Sequence, residues 1–268
     1  HSEPLPPRCP KCGGELHFIG AGTQKVQQEL EELFPGTEVL RMDADTVGAA
    51  QSHEKLLTRF AKERVPILVG TQMVTKGLDF ENVTLVGVIA ADLSLYVDSF
   101  RATERTFSLL TQVVGRAGRG EKAGRAVIQT YTPDNDIIRY AAAQDYDGFY
   151  RQEVDLRRLM DYPPFRDLIV LHASGTEESA VLRACQKLRR SLDQWSADLW
   201  GRSPERPRIM GPAPAAVAKV NNRYRYRLNM LCRSGPEVRR YLSFLLCAAA
   251  GDKDNRGVSV FADIDPYD

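Results

Sequence analysis

The sequence is short of cysteine, of tryptophan and of long apolar runs, and each shortage closes off a class of protein. Five cysteines in 268 residues, with only Cys9 and Cys12 close together, do not make a disulfide framework. A reducing, cytosolic compartment is the expected setting. The longest apolar stretches, LVGVIAA and FLLCAAA, fall far short of the ~20 residues a membrane helix needs, so no membrane role is expected. No charged-then-apolar signal segment opens the chain. There is no G-x-x-x-x-G-K-[ST] phosphate loop, no acidic Mg²⁺-binding box and no second CxxC. Internal repeats and low-complexity tracts are absent as well. What remains is 43% hydrophobic and 26% charged, the mixture of a folded protein with a real core, long enough for one large domain or two ordinary ones.

The net charge of +1 conceals an asymmetry. Residues 161–268 hold 17 Lys+Arg against 13 Asp+Glu, and 14 of those 17 bases are Arg. A planar guanidinium stacks and binds phosphate or carboxylate bidentately, which ammonium does not. A plain solvated surface has the same composition, so the bias alone decides nothing.

The opening HSEPLPPRCPKCGG is rich in Pro and Cys and poor in core residues. From Leu16 the pattern alternates. HFIGAG, EVLRM, PILVGT, VTLVGVIAAD and RAVIQTY read as strands, and PILVGT is the continuous apolar kind that a parallel sheet buries on both faces. Between them TQKVQQELEELF, HEKLLTRFAKE and TERTFSLLTQVVGRAG read as helices. Thr23 is the expected N-cap of the first, with Val26, Leu30, Leu33 and Phe34 on its inward face. This spacing predicts an α/β fold, a doubly wound parallel sheet over residues 17–135. Residues 136–164 read as a helical linker ending at Pro163-Pro164. Residues 165–268 show a βαββαβ order, a smaller α+β domain with helices on one face of its sheet. Ser234 and Glu237 form an S-x-x-E capping box for its second helix.

Four constellations carry chemistry. Cys9-x-x-Cys12 before Gly13-Gly14 is half of a structural zinc knuckle, since tetrahedral zinc needs four ligands; redox use and a plain loop remain open. Gly20-Ala-Gly22, followed by Asp43 and Asp45, imitates a dinucleotide fingerprint, but Lys25 stands where its third small residue belongs. The loop Gly70-Thr-Gln-Met-Val-Thr-Lys-Gly-Leu-Asp-Phe80 leaves the carboxyl end of a strand, where open sheets bind ligands. There Gly70 and Gly77 permit close approach, Thr71 and Thr75 offer hydroxyls to a phosphate, and Asp79 can accept from a ribose hydroxyl. Last, Gln112-Val-Val-Gly-Arg116-Ala-Gly-Arg119 places an amide and two guanidiniums on one helix face, with Gly115, Ala117 and Gly118 leaving that face bare. Two fixed arginines beside a nucleotide stabilise charge on a transferred γ-phosphate.

QVVGRAGR with GTQMVTKGLDF resembles motifs VI and V of superfamily 2 helicases. CPKCGG, GTQKV, FPGTEVLRMDADT, DLSLYVDSFRATERTF, VIQTYTP and MDYPPF, in that order, are similar to the PriA family of replication-restart helicases, also called primosomal protein N′. The resemblance covers nearly the whole chain and departs from the family's wording at Gln24 and Arg227. It implies a RecA-like second motor lobe over 17–135, a remnant of a zinc-binding module over 1–16, and a C-terminal part of a longer protein. It implies ATP-driven 3′ to 5′ movement on DNA at stalled forks in the bacterial cytosol, with ATP, Mg²⁺ and, in the intact zinc module, Zn²⁺. Arg119 is then the arginine finger, Arg116 its support and Gln112 an aligning group. Asp79 contacts the ribose, with Gly77 and Gly115 lining the nucleotide, and Thr71, Thr75 and Lys76 meet the DNA backbone. Arg223, Arg225 and Arg227, on one side of an alternating strand, face single-stranded DNA or the acidic tail of single-stranded DNA-binding protein. Forked DNA and primosome proteins are further implied partners. Without the first lobe, this stretch alone is expected to be inactive as an ATPase. A non-motor nucleotide- or DNA-binding module and a dinucleotide-dependent enzyme are the competing readings.

Overall fold

The computed structural model describes residues 8–9, 12–15, 22–43, 50–75, 83–115 and 124–267. They divide into two compact units, Pro4–Arg151 and Gln152–Asp268.

In the first unit, α1 (Thr23–Leu33), β1 (Val39–Met42), α2 (Ala50–Lys62) and β2 (Ile67–Gly70) alternate, and β1 pairs parallel with β2. A 3-10 turn at Gln72–Thr75 follows. Then come β3 (Leu85–Val88), a single turn α3 (Asp92–Leu95), α4 (Ala102–Val114), β4 (Arg125–Ile128) and α5 (Asp136–Ala143). β3 and β4 are parallel. Parallel pairing with helical crossovers is what the alternating sequence demands.

Among the described residues the parallel pairing appears as two pairs, β1 with β2 and β3 with β4, in keeping with the expected parallel-sheet α/β fold. Burial is one-sided. Val88 and Ile128 pack against the core of Phe107, Leu110, Ile137, Ile138, Ala141 and Phe149, whereas Leu85 and Val127 are exposed on the opposite face. Among the described residues, helices α4 and α5 cover one side of this pair, and strand side chains alternate sides. Leu33 and Phe34, expected inward, are exposed, because α1 ends at Leu33 and Phe34 leaves helical geometry. Thr23 lies inside α1, whose N-cap is Gly22. The strand expected at HFIG lies outside the described residues.

The stretch 136–164 is helical, as α5 and α6 (Tyr146–Met160). Ile137, Ile138, Ala141 and Phe149 are buried in the first unit's core, and the division between units falls inside α6. This half of the helical segment is therefore packed into the first unit.

The second unit realises the βαββαβ order: β5 (Asp167–Gly175), α7 (Glu178–Trp200), β6 (Arg208–Val220), β7 (Arg223–Cys232), α8 (Pro236–Gly251) and β8 (Val258–Ile264). The antiparallel sheet runs β6-β7-β5-β8. Leu188 and Leu192 of α7 and Val238, Leu242 and Leu245 of α8 cover one face, meeting Ile169, Leu171, Leu228 and Met230. Each such side chain contributes about 1.5–3 kcal/mol on burial. The helix at α8 starts differently from expectation. Pro236 is its first residue and Gly235 its N-cap, with no side-chain cap bond. Proline's fixed φ suits the first helical position, so the start shifts one residue past Ser234 and the S-x-x-E box does not form. Among the described residues, no helix is long and apolar enough to cross a membrane.

Candidate functional site

Residue Gly70 ends β2 opposite Met42, the end of β1. A Cβ there would collide with the Val74 side chain and come within 2.6 Å of the Met42 carbonyl oxygen. Thr71 N–H then donates to that same carbonyl at 3.4 Å, and Val74 N–H to Thr71 O at 3.0 Å. The glycine thus lets the chain fold sharply over the ends of two parallel strands, with Thr71 left exposed. Thr75 closes the 3-10 turn, and Lys76, Gly77 and Asp79 lie outside the described residues.

Side-chain bonds and ring packing hold α4 along its length. Thr106 and Thr111 return their hydroxyls to the Ala102 and Phe107 carbonyls at 2.8 and 2.7 Å, and Phe107 stacks on Phe149 at 4.1 Å. Gln112 is exposed on the last turn of α4, its amide donating to Ser108 Oγ at 3.2 Å. Gly115 is the C-cap, and its N–H donates to Thr111 O at 2.9 Å. A Cβ on Gly115 would stand 3.3 Å from Gln144 Nε2, so the end of α4 has little room for bulk. Arg116 and Arg119 continue beyond it, outside the described residues.

Sequence reasoning passed over a buried carboxylate at the exits of β3 and β4. Asp92 accepts from Thr132 Oγ1 at 2.6 Å, Thr130 Oγ1 at 2.8 Å and Tyr131 N–H at 2.9 Å. Burial alone would push this carboxyl up. The bonds from Thr132, Tyr131 and Thr130 outweigh burial and hold it at about 2. The signal was available in the sequence: an Asp ending an apolar strand run, and T-x-T after the next strand.

The dinucleotide reading loses one of its two acids. Asp43 is buried, accepts a hydrogen bond from Thr23 Oγ1 and pairs with Arg41 Nε at 3.1 Å. Its carboxylate ties α1 to β1 and does not wait for a ribose. Asp45 lies outside the described residues.

Cys9 and Cys12 sit in a tight turn. Cys9 N–H donates to Gly14 O at 2.8 Å, Gly13 N–H to Cys9 O at 2.9 Å, and Gly13 takes a φ of 71°. Such a turn suits two thiolates facing one ion. Yet no group of three or more His, Cys, Asp or Glu gathers among the described residues. Cys185 and Cys232 are core thiols, pushed up by burial to about 11 and about 12. The described donor set stops at two and does not complete a zinc site.

On β7, Leu228, Met230 and Cys232 join the helix-covered core and Tyr226 packs beside it, while Arg223, Arg225 and Arg227 alternate to the other face. The row is not uniform. Arg223 donates to the Ser174 carbonyl at 3.0 Å, whereas Arg225 and Arg227 lie beside Ser174 and His172 of β5.

Comparison with known proteins divides the chain where the fold does. Residues 15–121 match the helicase conserved C-terminal domain, and residues 158–267 match the primosomal protein N C-terminal domain. The replication restart protein PriA of Bacillus subtilis is 39% identical over 269 residues, covering all of this chain and 32% of that protein. Its counterpart in Synechocystis is 42% identical over 229 residues, covering 85% of this chain and 27% of that protein. The Chlamydia muridarum counterpart is 35% identical over 260 residues, covering 96% and 33%. The chain spans about a third of the length of these relatives. With a helicase C-terminal lobe of RecA-like α/β type followed by a PriA C-terminal domain, the chain belongs to the replication restart protein PriA family.

Proposed function

We propose that this chain supplies the second motor lobe and C-terminal domain of an ATP-dependent helicase that moves 3′ to 5′ on DNA at stalled forks and starts primosome assembly. The observation that carries this reading is the helicase domain match over residues 15–121, within which a glycine-sharpened loop leaves β2 and Gln112 stands exposed on the turn that ends α4. In this reading Thr71, Thr75 and Lys76 meet the DNA backbone, and Asp79 accepts from the ribose of ATP. Gly77 and Gly115 let the nucleotide approach the backbone closely. Arg119 is the finger on the γ-phosphate, Arg116 supports it and Gln112 aligns it.

Mg²⁺ bound with ATP supplies charge neutralisation on the phosphates; its ligands and the phosphate loop belong to a first lobe that this sequence does not contain. Cys9 and Cys12 are proposed as two of the ligands of a zinc module completed elsewhere. The proposed partners are single-stranded and forked DNA, primosome proteins and single-stranded DNA-binding protein, the last two met in the bacterial cytosol. The Arg225–Arg227 row is the proposed docking place for a polyanion, either single-stranded DNA or an acidic tail.

The test is unwinding by an intact protein carrying these residues, on forks whose free tail has 3′ or 5′ polarity. ATP-dependent unwinding confined to one polarity is the expected result. Equal unwinding without ATP, or none on any fork, refutes the motor reading.

A further inference from the structure

The face of the second unit's sheet opposite α7 and α8 holds a second pattern beside the Arg row. His172 of β5 faces Arg227 of β7 on one side and Phe261 of β8 on the other. One line across three strands therefore reads Arg227, His172, Phe261. The next line reads Arg225, Ser174, Ser259. His172 and Phe261 stack, with ring centroids 4.7 Å apart and planes 18° apart. Phe261 is nevertheless 52% exposed. Its neighbours Val260 and Ala262 point to the helix-covered core, so its ring stands on the open face. Burial and the nearby Arg225 and Arg227 push the His172 imidazole below its ordinary value, against the pull of Asp263.

We infer that this face is a stacking platform for a base of single-stranded nucleic acid, with Phe261 on His172 as the floor and Arg225 and Arg227 holding the adjacent phosphates. The reasoning is physical. Strands lie about 4.8 Å apart, so Arg227 and Phe261 are two strand spacings from one another, within reach of one nucleotide's phosphate and base. An exposed aromatic backed face to face by a second ring offers a flat surface that every base can use. Asp263, two residues along β8, lies on this face as well, opposite Val170. An acidic peptide would use the guanidiniums and leave the ring idle, so the aromatic pair favours nucleic acid. The inference deepens the reading of the chain as part of a DNA-translocating protein.

The test needs no ATP, so its outcome is independent of whether the motor reading stands. Fluorescence anisotropy of the 268-residue chain is measured with short oligo(dT), with the same backbone carrying abasic spacers, and with an acidic peptide. Phe261→Ala should weaken oligo(dT) binding by roughly ten-fold or more while leaving the abasic strand unchanged. Phe261→Tyr should restore the affinity. Arg225→Ala should weaken both strands and lower the salt slope by about 0.7. Melting curves check folding, and Phe261→Leu replaces the alanine variant if that one melts early. Equal weakening of both strands by Phe261→Ala overturns the platform. So does wild-type binding of the acidic peptide in preference to oligo(dT), or no binding of oligo(dT) at all.

Discussion

The hydroxyl of Thr132 donates to the carboxylate of Asp92 at 2.6 Å across forty residues of chain, joining the exit of β4 to the exit of β3. Thr130 and the Tyr131 N–H complete the clasp, and Thr132 N–H donates to Thr130 Oγ1 at 3.0 Å. The two strands are parallel, so their exits lie at one edge, the edge from which open sheets present ligands. Asp92 also begins α3, which packs on α4, so the clasp fixes the base from which Gln112 is presented.

Asp92→Asn is expected to lower stability at neutral pH by about 1–3 kcal/mol, because an amide cannot accept all three donors. The pH dependence has a definite sign. The folded carboxyl sits at about 2, below its ordinary 3.8, so its stabilisation is complete above pH 4 and is lost as pH falls toward 2. Thermal melts of wild type and variant should therefore differ at pH 7 and converge in strong acid. Curves separated equally at all pH values would refute the assignment.

Much of the second unit was legible, and the reasons are local. β5 and β7 are nine and ten residues long and α7 runs for 23, so each shows its period several times over. In the first unit the strands have four residues each, too few for alternation to declare which face is covered. Leu85 is exposed although it stands in the unbroken apolar run LVGVIAA. Asp92 read as the tail of an apolar strand because its partners arrive some forty residues later. The Ser234 cap failed to a competing local rule, proline at the first helical position. The paired site residues in the loop after β2 and beyond α4 were named from motif wording, which the fold positions only up to Thr75 and Gly115.

Gly70→Ala should destabilise the first unit by about 1–3 kcal/mol, since the added methyl meets the Met42 carbonyl and the Val74 side chain, and backbone cannot swing aside. Gly87→Ala is the control: its Cβ would meet nothing within 4 Å. Urea unfolding of both variants checks this. Equal midpoints would show that the turn after β2 relaxes freely.

Glu153 and Arg157 form a largely enclosed ion pair on α6 at 2.7 Å, with Arg157 also donating to the Pro163 carbonyl at 3.2 Å. Removing one partner leaves a charge with little water, so Glu153→Met should cost about 3 kcal/mol. Glu153→Met with Arg157→Met should cost less than the sum of the two single changes, because both remove the same ion pair. A double-mutant cycle on melting temperatures reads the difference. Strict additivity would mean that the pair acts as two independent surface residues.

The last expectation concerns Arg119, in an intact protein of this family carrying these residues. Charge develops on the γ-phosphoryl oxygens only as the terminal phosphate is transferred, so a guanidinium aimed there has little to gain in the ground state. Arg119→Ala should lower ATP turnover by roughly 10³-fold or more while nucleotide affinity changes little. Arg116→Ala, removing a support, should fall less far. Gln112→Ala should fall least, since an amide aligns the site without carrying charge to the γ-phosphate. Lys substitution at 119 keeps the charge but loses the planar fork, so it should recover only part of the rate. Single-turnover hydrolysis with saturating DNA separates the chemical step from release, and a fluorescent nucleotide reports affinity. Should Arg119→Ala hydrolyse ATP near the wild-type rate, or lose nucleotide binding in proportion to rate, the finger lies elsewhere. The α4 end would then be a binding surface and not part of the chemical step.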